Sequence, residues 1–175
     1  MKFIIEQVAL FPSNDEVAIE FLAAIGLDEW VRDRVTAEGI VFGDAAANVG
    51  NLAFNYQASD RIECNPKPLE LEVLSYSEGR HWMTREPAEF FVDPMPRVSH
   101  FGMHVTESEL SQWREKMTRL GVGVAQEVFT TSHENPAIAG KRLYHYTIFN
   151  TYPIIGVDLK FIVRRDDLAS TLELP

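Results

Sequence analysis

The chain has 175 residues, 46% of them hydrophobic and 24% charged, which suits one globular domain and argues against a disordered, collagen-like or coiled-coil chain. Lys and Arg number 16 against 26 Asp and Glu, a formal charge of -10 that repels a phosphate backbone and speaks against nucleic acid as a partner. The single cysteine, Cys64, has no internal partner and no CxxC spacing, so it reads as a bystander.

Glu6 interrupts the N-terminal apolar run before a signal core forms, and no apolar stretch approaches the roughly 18 residues of a membrane span. The expectation is a cytoplasmic protein with no membrane partner. Residues 3–11 read as a strand that ends at Pro12-Ser13-Asn14. A helix follows to Gly26, with Val17, Phe21 and Ile25 as its apolar stripe. Residues 30–42, 51–57 and 69–76 are strand-like runs, so the first half reads βαβββ over residues 1–78.

Residues 79–96 carry Pro87, Pro94 and Pro96 without a clear period, and read as a connector that is long enough to hold a short helix or to pack on the core. Beyond it the pattern restarts. Residues 97–105 form a strand, Thr106 and Glu109 have the spacing of a capping box, and Leu110, Trp113, Met117 and Leu120 give the helix its apolar face before Gly121. Residues 123–130, 141–150 and 156–164 complete a second βαβββ within 97–165, leaving 166–175 as a peripheral tail.

The two halves can be laid over one another. Gln7-Val8-Ala9-Leu10-Phe11 matches His100-Phe101-Gly102-Met103-His104, and Leu71-Glu72-Val73-Leu74 is laid over Val157-Asp158-Leu159-Lys160. Strand side chains alternate between faces. Phe101, Met103 and Val105 then go under the helix while His100, Gly102 and His104 share the opposite face. By the same alternation Gln7, Glu72 and Asp158 face that side too. Glu70 has the same parity as Glu72, which is preferred because it matches Asp158 in the overlay.

Glu6-Gln7-Val8-Ala9-Leu10, Ser99-His100-Phe101-Gly102-Met103-His104-Val105 and the two closing strands resemble the vicinal oxygen chelate superfamily, which includes glyoxalase I, bleomycin-binding proteins and extradiol dioxygenases. The resemblance runs from about residue 3 to about 164. It implies an α+β fold of two βαβββ modules whose curved mixed sheets form a cleft, paired within a chain or across a homodimer. It also implies Gln7, Glu72, His100 and Asp158 as ligands of a divalent ion, with Glu72 or Asp158 moving a proton. An amide, an imidazole and two carboxylates suit Ni, Zn, Mn, Fe or Co better than a thiolate-loving metal. Two ligand positions left to water would let the metal polarise a substrate oxygen.

Three features depart from the family pattern. Asp158 stands where Glu is usual, Lys160 lies on the same face and is placed to pair with Asp158, and Asn150-Thr151-Tyr152-Pro153-Ile154-Ile155-Gly156 replaces the usual Asp-Pro-x-Gly turn. Around residues 130–146, His133, Glu134, Lys141, Arg142, Tyr144 and His145 form either a solvated hairpin loop or a substrate lid. Lys141 and Arg142, with His104 on the strand face, are candidates to meet a substrate. Ala137 in the second His slot excludes an HExxH motif.

The function expected from the resemblance is a glyoxalase-like, metal-dependent lyase or isomerase acting on a small molecule with vicinal oxygens. A metal-free ligand-sequestering module of the bleomycin-resistance type is the alternative, favoured by Lys160 and the neutral Gln7. An extradiol-type dioxygenase is a third reading, which needs a second His where Gln7 stands.

Overall fold

A computed structural model describes residues 2–59, 69–83, 96–133 and 143–165. The first half contains β1 (Gln7–Phe11), α1 (Asp15–Ala24), β2 (Val31–Val41), β3 (Asp44–Asn55) and β4 (Glu70–Gly79). The second contains β5 (Arg97–His104), α2 (Glu107–Arg119), β6 (Val124–Ser132), β7 (Leu143–Phe149), a one-turn α3 (Tyr152–Ile155) and β8 (Asp158–Arg164). Both halves are therefore βαβββ modules, and α3 lies within the segment 150–156 that leads into the last strand. Cys64, Glu134, Lys141, Arg142, most of the expected connector and the tail lie outside the described residues. Among the described residues no helix is long and apolar enough to cross a membrane.

All eight strands form one closed barrel in the order β1-β4-β3-β2-β6-β7-β8-β5. In each module the first and last strands run parallel, β1 beside β4 and β5 beside β8. The modules join along two antiparallel seams, β1 with β5 and β2 with β6. The expected cleft is thus the inside of a barrel that one chain closes on itself.

Local chemistry accounts for most element ends. Thr106 accepts from the Glu109 amide while the Glu109 side chain accepts from the Thr106 amide, so the expected capping box is formed. Leu110, Trp113 and Met117 then pack on Met103, Phe149, Phe161 and Val163 of the sheet. Asn14 caps α1 by accepting from the Val17 amide at 3.1 Å. β2 turns into β3 through Phe42 and Gly43, both at positive φ, the two-residue geometry whose twist suits a hairpin.

The structure corrects the sequence reading in three places. Val17, Phe21 and Ile25 point outward at 61–65% exposure, while Ile19 and Leu22 of the same helix meet Ala53, Val73 and Trp30. The Glu16–Arg32 ion pair holds the first turn of α1 against β2 and helps set this rotation. The first strand begins at Gln7 rather than at residue 3, because Phe3 leaves the sheet to pack edge-on against Trp113 and Phe161 of the other module. β3 starts well before the expected residue 51, since Ala45, Ala46 and Ala47 extend the hairpin by pairing with Ile40, Gly39 and Glu38 of β2.

Past β4 the chain turns inward. Trp82 and Met83 are buried inside the barrel with Phe11, Val35, Leu52, Leu74, Ala125 and Ile148. The start of the expected connector thus plugs the interior, and the polar residues described next lie against that apolar floor.

Candidate functional site

The site grows from the β1–β5 seam, where Gln7 is opposite Gly102 and Ala9 is opposite His100. Strand parity sends the Gln7 and His100 side chains into the barrel, where both are almost completely buried. Gly102 makes room for this: a Cβ there would stand 2.7 Å from Gln7 Oε1. His100 Nε2 lies 2.9 Å from Gln7 Oε1 and 3.1 Å from Glu72 Oε2. Lys160 reaches the same carboxylate oxygen from β8, its Nζ at 3.4 Å, and stands 4.3 Å from the centre of the Tyr146 ring.

Gln7, Glu72 and His100 are brought together, and Asp158 is not among them. Its Oδ1 accepts from the Tyr152 amide at 3.0 Å, at the start of α3. The register explains the difference. The seam relates Gln7 to His100 and Ala9 to Gly102 by a local two-fold. Gln7 and Ala9 pair with Glu70 and Glu72 on β4, whereas His100 and Gly102 pair with Asp158 and Lys160 on β8. The counterpart of Glu72 is therefore Lys160, and that of Asp158 is Glu70. The overlay of the closing strands was two residues out of step, a slip that preserves the face of every side chain and so is invisible to alternation. Lys160 pairs across the barrel with Glu72 and not with its strand neighbour Asp158.

Electrostatics follow from this placement. Burial pushes the Glu72 carboxyl up, but the Lys160 ammonium and the His100 hydrogen bond outweigh burial and lower it to about 2. Burial and the nearby Lys160 charge push the His100 imidazole down to about 4, against the upward pull of Glu72. His100 is then neutral near pH 7. With two oxygen acceptors at Nε2, the proton sits on Nε2. The Ser99 hydroxyl lies 3.0 Å from Nδ1 and donates to the Ala9 carbonyl at 3.2 Å. Tyr76 and Tyr146, half-buried close by, are both raised by desolvation, with Glu72 adding to the rise.

The donor set does not fit a resident divalent metal. Gln7 Oε1 and Glu72 Oε2 share the proton of His100, Asp158 is engaged elsewhere, and the fourth position carries a cation where a metal needs an oxygen or nitrogen lone pair. Among the described residues no group of three or more His, Cys, Asp or Glu is placed to hold a metal ion. One histidine, His100, belongs to the cluster, short of the pair that the extradiol reading requires.

Toward one mouth of the barrel, Glu70 accepts from the Gln7 amide and from the Tyr56 hydroxyl, the latter at 2.6 Å. Gln7, Tyr56, Glu70, His104 and Tyr146 help line a cavity of about 80 Å³ there. His104 lies at this rim, half-exposed, with its backbone amide 2.7 Å and its Nδ1 3.2 Å from Glu6 Oε2. The sequence reading did not single out Ser99, Trp82 or Tyr146. The Ser99 hydroxyl next to His100 was the one signal available, since Trp82 lay in the expected connector and Tyr146 in a stretch read both as a strand and as part of a loop or lid, of which Tyr144, His145 and Tyr146 belong to β7.

No protein-family model and no curated protein sequence matches the chain. Among solved structures it is similar to methylmalonyl-CoA epimerase from Mycobacterium tuberculosis, at 13% identity over 95% of this chain and 91% of that one, with a TM-score of 0.49. It is also similar to a Streptomyces coelicolor methylmalonyl-CoA epimerase variant in complex with 2-nitronate-propionyl-CoA, at 12% identity, 93% and 95% coverage and a TM-score of 0.48. A hypothetical protein from Bacillus halodurans aligns at 12% identity, 91% and 93% coverage and a TM-score of 0.45. At identities this low the chemistry of the site rests on this chain's own residues, and the paired βαβββ modules stand on the strand connectivity described above.

Proposed function

We propose that the chain is a small-molecule binding barrel that works without a bound divalent metal, with Lys160 supplying the cation at its centre. One observation carries this reading: Lys160 Nζ lies 3.4 Å from Glu72 Oε2, on the residue that the local two-fold relates to Glu72 itself. A carboxylate at that place would complete a four-ligand set with Gln7, Glu72 and His100. An ammonium there neutralises Glu72 and removes the need for a metal. Glu72, held near 2, is a weak base, so binding suits the site better than proton abstraction.

Metal-dependent proton transfer is the second reading, favoured by the convergence of Gln7 Oε1 and Glu72 Oε2 on His100 Nε2. It requires Lys160 to leave the cluster. Metal analysis after loading with Ni, Zn, Mn or Fe separates the two. The proposal expects content well below one ion per chain and a melting temperature unmoved by metal or EDTA. It further expects Lys160→Glu to gain about one ion per chain and a metal-dependent rise in melting temperature, reflecting a stabilisation of about 2.7 kcal/mol at 100 times the dissociation constant. Stoichiometric metal in the wild-type chain, with its loss in Glu72→Gln, would overturn the proposal in favour of the second reading.

A further inference from the structure

We propose that the cavity at the barrel mouth seats the ammonium group of a small amine with an apolar body, its charge set against Glu70; this deepens the metal-free binding reading above and rests on it. The cavity measures about 80 Å³, room for about five water-sized groups. Its lining includes the aromatic residues Phe54, Tyr56, Tyr144 and Tyr146 and the carboxylates Asp33 and Glu70. Register accounts for the set. Gln7 pairs with Glu70 across β1 and β4, and His104 pairs with Ile162 across β5 and β8, so the inward side chains of these strand ends ring one mouth. Tyr56 and Val31 are 44% and 43% exposed, and the cavity opens to solvent beside them.

Glu70 supplies the anchor. Its two oxygens accept from the Gln7 amide and from the Tyr56 hydroxyl, both neutral donors. A carboxylate offers about four lone-pair sites, so room remains for the N–H groups of a ligand. Asp33, 5% exposed, adds a second carboxylate to the same lining. No Lys or Arg is among the described residues that line the cavity, and His104 is turned to Glu6, its Nδ1 3.2 Å from Oε2. The aromatic wall already holds one cation: Lys160 Nζ lies 4.3 Å from the centre of the Tyr146 ring, on which Tyr144 stacks with ring centres 5.4 Å apart. Lys160 is matched by Glu72, so that pair brings no net charge to the mouth. The lining therefore selects by charge. An ammonium gains a carboxylate and ring faces together, whereas an anionic ligand meets two like charges. The formal charge of -10 draws a cation in the same sense.

The test is titration of the isotope-labelled protein with butylammonium chloride in EDTA, followed on backbone amide resonances against sodium chloride at equal ionic strength. The expected result is a saturable shift centred on Gln7, Asp33, Phe54 and Tyr144. Butanol and butyrate keep the chain and change the charge, and should bind about tenfold more weakly or worse. Glu70→Gln should weaken butylammonium about tenfold or more, the loss of a hydrogen bond to a charged group. Tyr56→Phe keeps the ring and returns an acceptor site to Glu70, and should bind at least as tightly as the wild-type chain. The comparison of the three ligands on the wild-type chain carries the test if Glu70→Gln fails to fold. No saturable shift, a shift centred elsewhere, butanol or butyrate binding as tightly, equal binding in Glu70→Gln, or an equal loss in Tyr56→Phe would overturn the proposal. If metal analysis finds a stoichiometric ion and butylammonium binds only in its presence, the metal-free reading is what has failed. Absence of both metal and butylammonium binding overturns the ammonium site alone.

Discussion

Glu72 carries a full negative charge inside the barrel because Lys160 and His100 face it. Taking either charge away strands the other: Glu72→Gln or Lys160→Met alone should cost about 3–5 kcal/mol. The double change Glu72→Leu with Lys160→Met should cost far less than the sum, and a denaturation-based double-mutant cycle measures the difference. Acid should also act through these residues. His100 titrates near 4 folded and 6.5 unfolded, so the unfolded chain binds more protons between those values. Its contribution, up to about 3 kcal/mol, is complete above pH 6.5 and lost as pH falls toward 4. His81, lowered to about 4 by burial, adds a loss of the same sign. Glu72 takes over below 4.5, its stabilisation disappearing as pH falls through about 2. Unfolding free energy measured against pH should therefore decline below 6.5, and His100→Gln should remove its own share of the decline while leaving that of His81. Gln7, Glu72 and His100 were legible in the sequence because alternation and the repeat both mark them. Asp158 was assigned in place of Lys160 because only hydrogen-bond register distinguishes two side chains of equal parity.

The two helices illustrate the difference between a signal and its setting. α2 announced its start through Thr106 and Glu109 and its buried face through Leu110, Trp113 and Met117, and the fold uses both. Thr106→Ala should cost about 1 kcal/mol, and Trp113→Ala about 3–5 kcal/mol. α1 offered an equally regular stripe in Val17, Phe21 and Ile25, yet buries Ile19. Phe21→Gln should accordingly change stability by no more than about 0.5 kcal/mol. Urea denaturation of the three variants checks the ranking, and a large loss in Phe21→Gln would show that α1 sits the other way round. Spacing identifies a helix with an apolar side. When a helix has two such sides, the sheet beneath it and ties such as Glu16–Arg32 decide which one goes in.

At the level of the molecule, both modules could be read from the repeated order of strand, helix and three strands, since each module's pattern is local. Closure could not, because β1–β5 and β2–β6 join segments far apart in sequence. The inward turn at Trp82 and Met83 was equally hidden, for its apolar residues show no period of their own. Since one chain completes the barrel, each chain carries its own Gln7–Glu72–His100–Lys160 cluster. The melting temperature should then stay constant on wide dilution, whereas a barrel shared between two chains would melt lower as the protein is diluted.

The closed sheet has one more effect, on what the protein can be joined to. An open sheet ends in a row of unpaired amides and carbonyls on which another chain can lay a strand. Here β1 meets β5 and β2 meets β6, so every strand has a neighbour on both sides. Among the described residues no strand therefore presents a whole open edge to another chain. Exchange of a whole strand between molecules can begin only after one of the strand pairs of the barrel has come apart.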